Sequence, residues 1–183
     1  MAEQEKLEGL EQGLVQIYTG NCKGKSTAAF GLALRAAGYG LKVHIIQFMK
    51  TPDYGEHKSF PRLAPEIEVK TFGRKGFIVD PKKPKQEDID QATAAMNYAR
   101  KVIKSGNVDV LILDEINNAI YFNLIKEEEV LEFLKQRPKN VEIILTGRNA
   151  PESLIEIADL VTDMRQVKHP YEQGINARKG IEY

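Results

Sequence analysis

The sequence predicts an α/β fold, a mostly parallel sheet with helices on both faces, and three observations lead there. Apolar runs recur at 43–48, 108–113 and 141–145, nearly continuous rather than alternating, which is the pattern of strands buried on both sides. Between them lie segments whose apolar residues return at helical spacing. Neither a repeat nor a low-complexity tract breaks this alternation. A hydrophobic content of 42% over 183 residues is enough for one substantial core. Residues 13–183 are therefore read as a single domain, and the charged residues 1–12 as an N-terminal arm, helical or frayed.

Taken in order, residues 14–18 form the first expected strand and 19–24 a glycine-bearing turn. From Lys25, the residues Ala28, Ala29, Leu32, Ala33, Ala36 and Ala37 mark a helix that stops at Gly38 or Gly40. Residues 42–48 give the second strand. From 49 to 84 the chain is rich in Pro, Gly and Lys, with one strand expected at 67–72; a segment this irregular inside a compact domain points to binding. A helix at 86–104 places Ile89, Ala92, Met96, Ala99 and Ile103 along one face. Strands at 108–113 and 141–145 follow, with helices at 116–122, 127–136 and 152–158, a last strand at 160–164 and a tail from 165. In such a sheet ligands bind at the carboxyl ends of the strands, and the polar clusters fall there.

The first cluster is Gly20, Asn21, Cys22, Lys23, Gly24, Lys25, Ser26 and Thr27, between the first strand and the first helix. Gly20 and Gly24 let backbone N–H groups turn inward around phosphate oxygens, and the helix N-terminus adds partial positive charge. Lys25 reaches the phosphates as a point charge, and the Ser26 hydroxyl is placed to ligate Mg²⁺. Thr19 stands where the usual G-x-x-x-x-G-K-[ST] pattern begins with Gly, yet strand, loop and helix are in register. The fold expectation narrows to a P-loop NTPase-like (RecA-like) domain. Beside Lys23, Cys22 is either a reactive thiol or a small residue tolerated where the backbone does the binding.

The second cluster is Asp114 with Glu115, at the tip of an apolar strand. Two carboxylates there repel each other unless a cation or donors sit opposite. A Mg²⁺ shared with Ser26 would satisfy both; the other reading is a helix cap.

Composition narrows the partners. Lys plus Arg equal Asp plus Glu at 26 each, which disfavours a nucleic-acid backbone or an anionic membrane as the ligand. No apolar stretch approaches the ~18 residues of a membrane span, and the polar start, with no apolar run behind it, does not read as an export signal. One cysteine fits a reducing compartment, so a cytoplasmic protein is expected. His44, His57 and His169 lack metal-ligand spacing.

With both clusters in place, the sequence resembles the corrinoid adenosyltransferases of the phosphate-loop type. Their loop reads Thr-Gly-Asn-Gly-Lys-Gly-Lys-Thr-Thr-Ala-Ala-Phe-Gly, and residues 19–31 match it except at Cys22 and Ser26. Gln47-Phe48 with Lys50, Gly55-Glu56, Leu113-Asp114-Glu115 and Thr146-Gly147-Arg148 match as well, as does the tail through Gly180-Ile181-Glu182-Tyr183. The resemblance implies transfer of the 5′-deoxyadenosyl group of ATP to the cobalt of a reduced corrinoid, releasing triphosphate. It also implies that Gly20 to Thr27 hold the phosphates, that Arg35 assists, and that Ser26 and Glu115 hold Mg²⁺. Such proteins tend toward dimers, so a homodimer is expected, together with a reductase partner. Their middle region often carries Gly-Phe-x-Trp, whose aromatics help hold the corrinoid. Here it reads Gly76-Phe77-Ile78-Val79, leaving Phe77 either as a corrinoid contact or as an ordinary packing residue.

The chemistry agrees with the residues. Co(I) is nucleophilic enough to attack C5′ without a protein base, so the protein must position the substrates and neutralise the leaving triphosphate. Lys25, Lys23 and Mg²⁺ suit that task. A phosphoryl-transfer enzyme and a nucleotide-dependent switch module are the competing readings. Arg148 either contacts nucleotide or pairs with an acid, and His169, followed by Pro170, reads as a turn residue more readily than as a catalyst.

Overall fold

The computed structural model describes residues 8–76, 80 and 83–183. Its centre is a six-stranded parallel sheet made of β1 (Val15–Thr19), β2 (Val43–Phe48), β3 (Ile67–Phe72), β4 (Val110–Asp114), β5 (Glu142–Thr146) and β6 (Leu160–Asp163), in the spatial order β3-β2-β4-β5-β1-β6. The helices are α1 (Lys25–Gly38), α2 (Glu56–Ser59), α3 (Gln86–Ser105), α4 (Ile116–Tyr121), α5 (Glu127–Lys135) and α6 (Glu152–Ile157).

The period of two in a strand divides the apolar runs between the faces. Ile17, Ile46, Phe48, Leu111, Leu113, Ile143 and Leu145 point to one side, where α3, α4, α5 and α6 cover them. Tyr18, Val43, Ile45, Val110, Ile112 and Ile144 point to the other, where Ala29, Ala33 and Ala36 of α1 and Phe60 cover them. Both faces are filled, which is why the runs read as continuous. On α3, Ala92, Met96 and Ala99 are buried as their spacing predicts, with Ala95 and Val102 beside them; Ile89 and Ile103 lie partly buried at the margin. The helix ends at Gly106, whose φ of 65° is the left-handed conformation that stops a helix.

The expected elements are present, their ends shifted by a residue or two as hydrogen bonding dictates. Additional structure appears in the irregular middle region: α2 and a 3-10 turn, Phe60–Leu63, whose Phe60 packs edge-on against Phe30 with ring centres 5.4 Å apart. Residues 8–12 form no helix, and Leu10 packs partly against the α1 layer. β6 lies at the open edge beside β1 with Leu160 and Val161 exposed.

Leu111 lies at the centre of the sheet with no accessible surface. Leu111→Ala should destabilise the protein by about 2–5 kcal/mol through lost burial and the cavity left behind. Urea unfolding will read this as a lower midpoint at unchanged slope.

Candidate active site

The order β4-β5-β1 sets three strand tips side by side at the carboxyl edge, and the site is assembled on them. After β1, the loop folds tightly against the end of β6. Gly20, at φ 99°, is where a Cβ would fall 2.2 Å from Asp163 Oδ1 and 2.6 Å from the Met164 backbone. A side chain cannot enter there, so glycine is required by close approach as well as by φ. Cys22 N donates to Met164 O at 3.0 Å, fixing the loop's far side. Lys25 is buried, and its Nζ lies within the loop's curve, donating to Gly20 O at 2.9 Å and Cys22 O at 2.7 Å. Burial pushes this ammonium's pKa down, with Glu115 acting in the opposite sense.

The tip of β4 separates the two carboxylates by role. Asp114 is fully buried and accepts Thr146 Oγ1 at 2.7 Å on Oδ1, with Gln47 Nε2 at 3.0 Å and Lys50 Nζ at 2.8 Å on Oδ2. Burial alone would raise its pKa; the charge and hydrogen bond of Lys50, with Thr146 and Ser26, outweigh that and hold it below the ordinary carboxylate value. Lys50 shifts upward in turn, Asp114 overcoming the opposing effect of burial. The lysine is 14% exposed and lies over the rings of Tyr54 (5.2 Å) and Phe30 (5.9 Å), within cation–π range. Behind it, the His57 imidazole donates from Nε2 to Gln47 Oε1, its Nδ1 accepting Tyr54 N at 3.2 Å. That arrangement is the neutral tautomer, and burial lowers the pKa accordingly.

Glu115 adopts φ 68°, which turns its side chain out of the strand's alternation, while its N–H donates to Thr146 Oγ1 at 2.9 Å. Asn118 donates to its carboxylate. Burial, then the charge of Asp114, raises its pKa despite Lys50 and Lys25. Although it precedes α4, it makes no side-chain capping bond. One expectation is corrected here. A single cation shared by both carboxylates is not what satisfies Asp114, because protein donors already do so; Glu115 is the acid in need of positive charge.

Lys25, Lys50 and Glu115 open into one cavity of about 1070 Å³, slightly above the range of single small-molecule sites (about 300–1,000 Å³). Asn21, Cys22, Lys23, Gly24, Lys25, Ser26 and Thr27 line it, together with Glu115. Arg148 also lines it, pairs with no acid among the described residues, and acts electrostatically on Lys25. His169 is at the cavity, but its Nδ1 accepts Tyr171 N at 3.2 Å and so starts a 3-10 turn, Pro170–Gln173. One expected residue lies apart from the cavity. Arg35 is exposed in the last turn of α1 and does not line the cavity; ten residues of helix carry it about 15 Å from Lys25. Phe77 lies outside the described residues. The side chain of Lys23 leaves the loop's interior, its Nζ donating to Ile181 O at 2.8 Å and Glu182 Oε1 at 3.1 Å.

Sequence reasoning did not find the aromatic wall. Tyr54, Phe30, Tyr121 and Phe122 all line the cavity, and the adjacent Tyr121-Phe122 pair, shortly after the acidic strand tip, was the signal available. The last residues of the chain, Gly180, Ile181, Glu182 and Tyr183, also line it; nothing local in the sequence places them there. Among the described residues, no three His, Cys, Asp or Glu side chains are grouped to hold a metal by themselves.

Breaking the buried pair should be costly. Lys50→Met leaves Asp114 buried and uncompensated, for a loss of about 3–5 kcal/mol at neutral pH. Without Lys50, burial lifts the folded-state pKa of Asp114 above its unfolded value, so native Asp114 takes up the proton first and the variant recovers stability as pH falls toward the carboxylate range. The wild-type pair has the opposite sign: its stabilisation is full above the ordinary carboxylate pKa and is lost as pH falls through the lowered one. Urea unfolding at pH 7 and pH 5 will compare the two.

The comparisons with known proteins agree with this geometry. The family model described as ATP:corrinoid adenosyltransferase BtuR/CobO/CobP matches residues 11–183. A corrinoid adenosyltransferase from Pseudomonas aeruginosa is 37% identical over 174 residues, covering 94% of this chain and 85% of the relative. One from Escherichia coli is 34% identical over 174 residues, covering 94% and 87%. One from a Sinorhizobium species is 38% identical over 176 residues, covering 94% and 81%. Among solved structures, a KaiC-like protein from Pyrococcus horikoshii superposes with a TM-score of 0.56 at 20% identity, covering 92% of this chain and 80% of that one, a likeness of fold.

Proposed function

We propose how this chain, which belongs to the BtuR/CobO/CobP family of ATP:corrinoid adenosyltransferases, divides the work of moving the 5′-deoxyadenosyl group of ATP to a corrinoid. The observation that carries the reading is the loop around Lys25 facing Glu115 across one cavity large enough for more than a nucleotide. Residues Gly20 to Thr27 wrap the triphosphate with backbone N–H groups at the start of α1. Lys25 supplies a full charge there, and Arg148 a second one nearby. Mg²⁺ suits the remaining need: Glu115 is an acid short of positive charge, and the Ser26 hydroxyl is an oxygen donor at the same strand tips. Those two residues would hold the ion against the phosphates, where it neutralises leaving-group charge.

The Co(I) of the reduced corrinoid attacks ribose C5′. The cobalt–carbon bond forms as the C5′–oxygen bond breaks, and the electron pair of that bond leaves on the triphosphate. No proton moves, so no base is needed; the protein's contribution is alignment and charge. Tyr54, Tyr121 and Phe122 offer the flat corrinoid apolar contact where the family's second aromatic is replaced by Val79. The enzyme works in the cytoplasm with a reductase that delivers the electron. It functions as a homodimer, a reading supported by the open β6 edge with exposed Leu160 and Val161.

Lys25→Ala should cost about 2–4 kcal/mol in transition-state stabilisation, read as kcat/KM for ATP. Unchanged kinetics in this variant would remove the loop from the mechanism. The reaction class is tested by its product. Inorganic triphosphate should appear in equal amount to the alkylcobalt species, and ATP analogues that resist cleavage between the β and γ phosphates should remain substrates. ADP as the stoichiometric product would instead indicate phosphoryl transfer.

A further inference from the structure

The end of the chain is built against the site. Residues 178–183 form a turn closed on itself: Arg178 donates to the Glu182 carboxylate from N at 2.7 Å, Nη2 at 3.1 Å and Nε at 3.3 Å, and Gly180 N donates to Tyr183 O at 2.7 Å. The Arg178 contacts, with help from Lys23, bring the Glu182 carboxyl down to about 2, so it is ionised throughout the physiological range. This turn meets the catalytic edge at two separate places. Lys23 of the phosphate loop holds Ile181 O and Glu182 Oε1, and the Tyr183 backbone comes within 3.9 Å of the position a Cβ would take on Gly55, just before α2. The turn thus lines the cavity between Lys23 and Gly55.

We propose that Lys23 is a positioning residue that anchors the C-terminal turn as a wall of the nucleotide site, acting through that turn and not by contact with the phosphates. The inference rests on the phosphate-loop reading above and adds to it a division between two neighbouring lysines. Lys25 lies inside the loop's curve with its ammonium buried, whereas Lys23 is half exposed and its ammonium goes to two acceptors on the tail, at the rim of the same cavity. A lone exposed ion pair orders little. Here Arg178 already fixes the Glu182 carboxylate, so Lys23 meets an acceptor whose freedom is spent and which carries the last four residues with it. A wall held in this way limits water and restrains the triphosphate as charge develops on it.

Two measurements test this. In the first, inorganic triphosphate is titrated calorimetrically into wild type, Lys23→Met, Glu182→Ala, the double variant and Arg178→Ala, with Lys25→Ala marking the phosphate loop. With Lys23 as the anchor, Lys23→Met and Glu182→Ala should each weaken binding by about two- to fivefold, with the double variant no weaker than either single one. Arg178→Ala should weaken it as well, although that side chain does not line the cavity. In the second, carboxypeptidase should release Tyr183 faster from folded Lys23→Met than from wild type. Weaker binding in Lys23→Met alongside unchanged or tighter binding in Glu182→Ala would make Lys23 a phosphate ligand restrained by the acid, and overturn the proposal. Unchanged Tyr183 release would overturn it independently of any phosphate. Wild-type affinity in Lys25→Ala would count against the phosphate-loop reading instead.

Discussion

A fully buried carboxylate at the tip of a central strand is an expensive feature, and the architecture of the carboxyl edge follows from how Asp114 is satisfied. Its partners come from different elements: Gln47 at the end of β2, Lys50 just beyond it, Thr146 at the end of β5, and Ser26 in the first turn of α1. Because the ionised form needs all of these donors at once, strand tips that are distant in sequence are tied to one register. Thr146 extends the tie by accepting the Glu115 N–H with the same oxygen it donates to Asp114. Lys50 is further confined between Tyr54 and Phe30, so the charge pair also fixes part of the cavity's aromatic lining.

The consequence for chemistry is a separation of two adjacent acids. Asp114 is spent on structure, while Glu115, turned out by its left-handed backbone, keeps a carboxylate that burial and its neighbour both push toward protonation. A site holding ATP and its departing triphosphate needs cations facing such an acid. Lys25 is already drawn inward by loop carbonyls, Arg148 is close by, and a divalent ion is the natural complement. Alkyl transfer from C5′ asks for this kind of fixed charge and for little else.

The fold was legible because its strands are buried on both faces: continuous runs such as those around Ile45, Ile112 and Ile144 leave few alternatives, and the spacing of Ala92, Met96 and Ala99 identifies α3. The phosphate loop was legible because a few backbone-critical positions, Gly20 and Gly24 with Lys25 and Ser26, carry the signal locally. What stayed hidden depends on long-range contact. That Asp114 is saturated by Gln47, Lys50 and Thr146 follows from strand order, which a pattern of apolar runs does not encode. Helix α2 is too short to show a period. The turn at the C-terminus meets Lys23, over 150 residues away in sequence, and Arg35 lies apart from the cavity because a helix long enough to pack the sheet carries that residue away from the loop.

The central claim is that the two acids have separate roles, with Glu115 and not Asp114 available to a metal held with triphosphate. It is tested most directly by measuring Mn²⁺ affinity in the presence of inorganic triphosphate, from the spin-resonance signal of the free ion, for wild type and Glu115→Gln. Glu115→Gln, folded with Asp114 and Lys50 in place, should bind Mn²⁺ at least about tenfold more weakly, the lower end of the loss expected even for an indirect metal partner. Wild-type Mn²⁺ affinity in Glu115→Gln would contradict it.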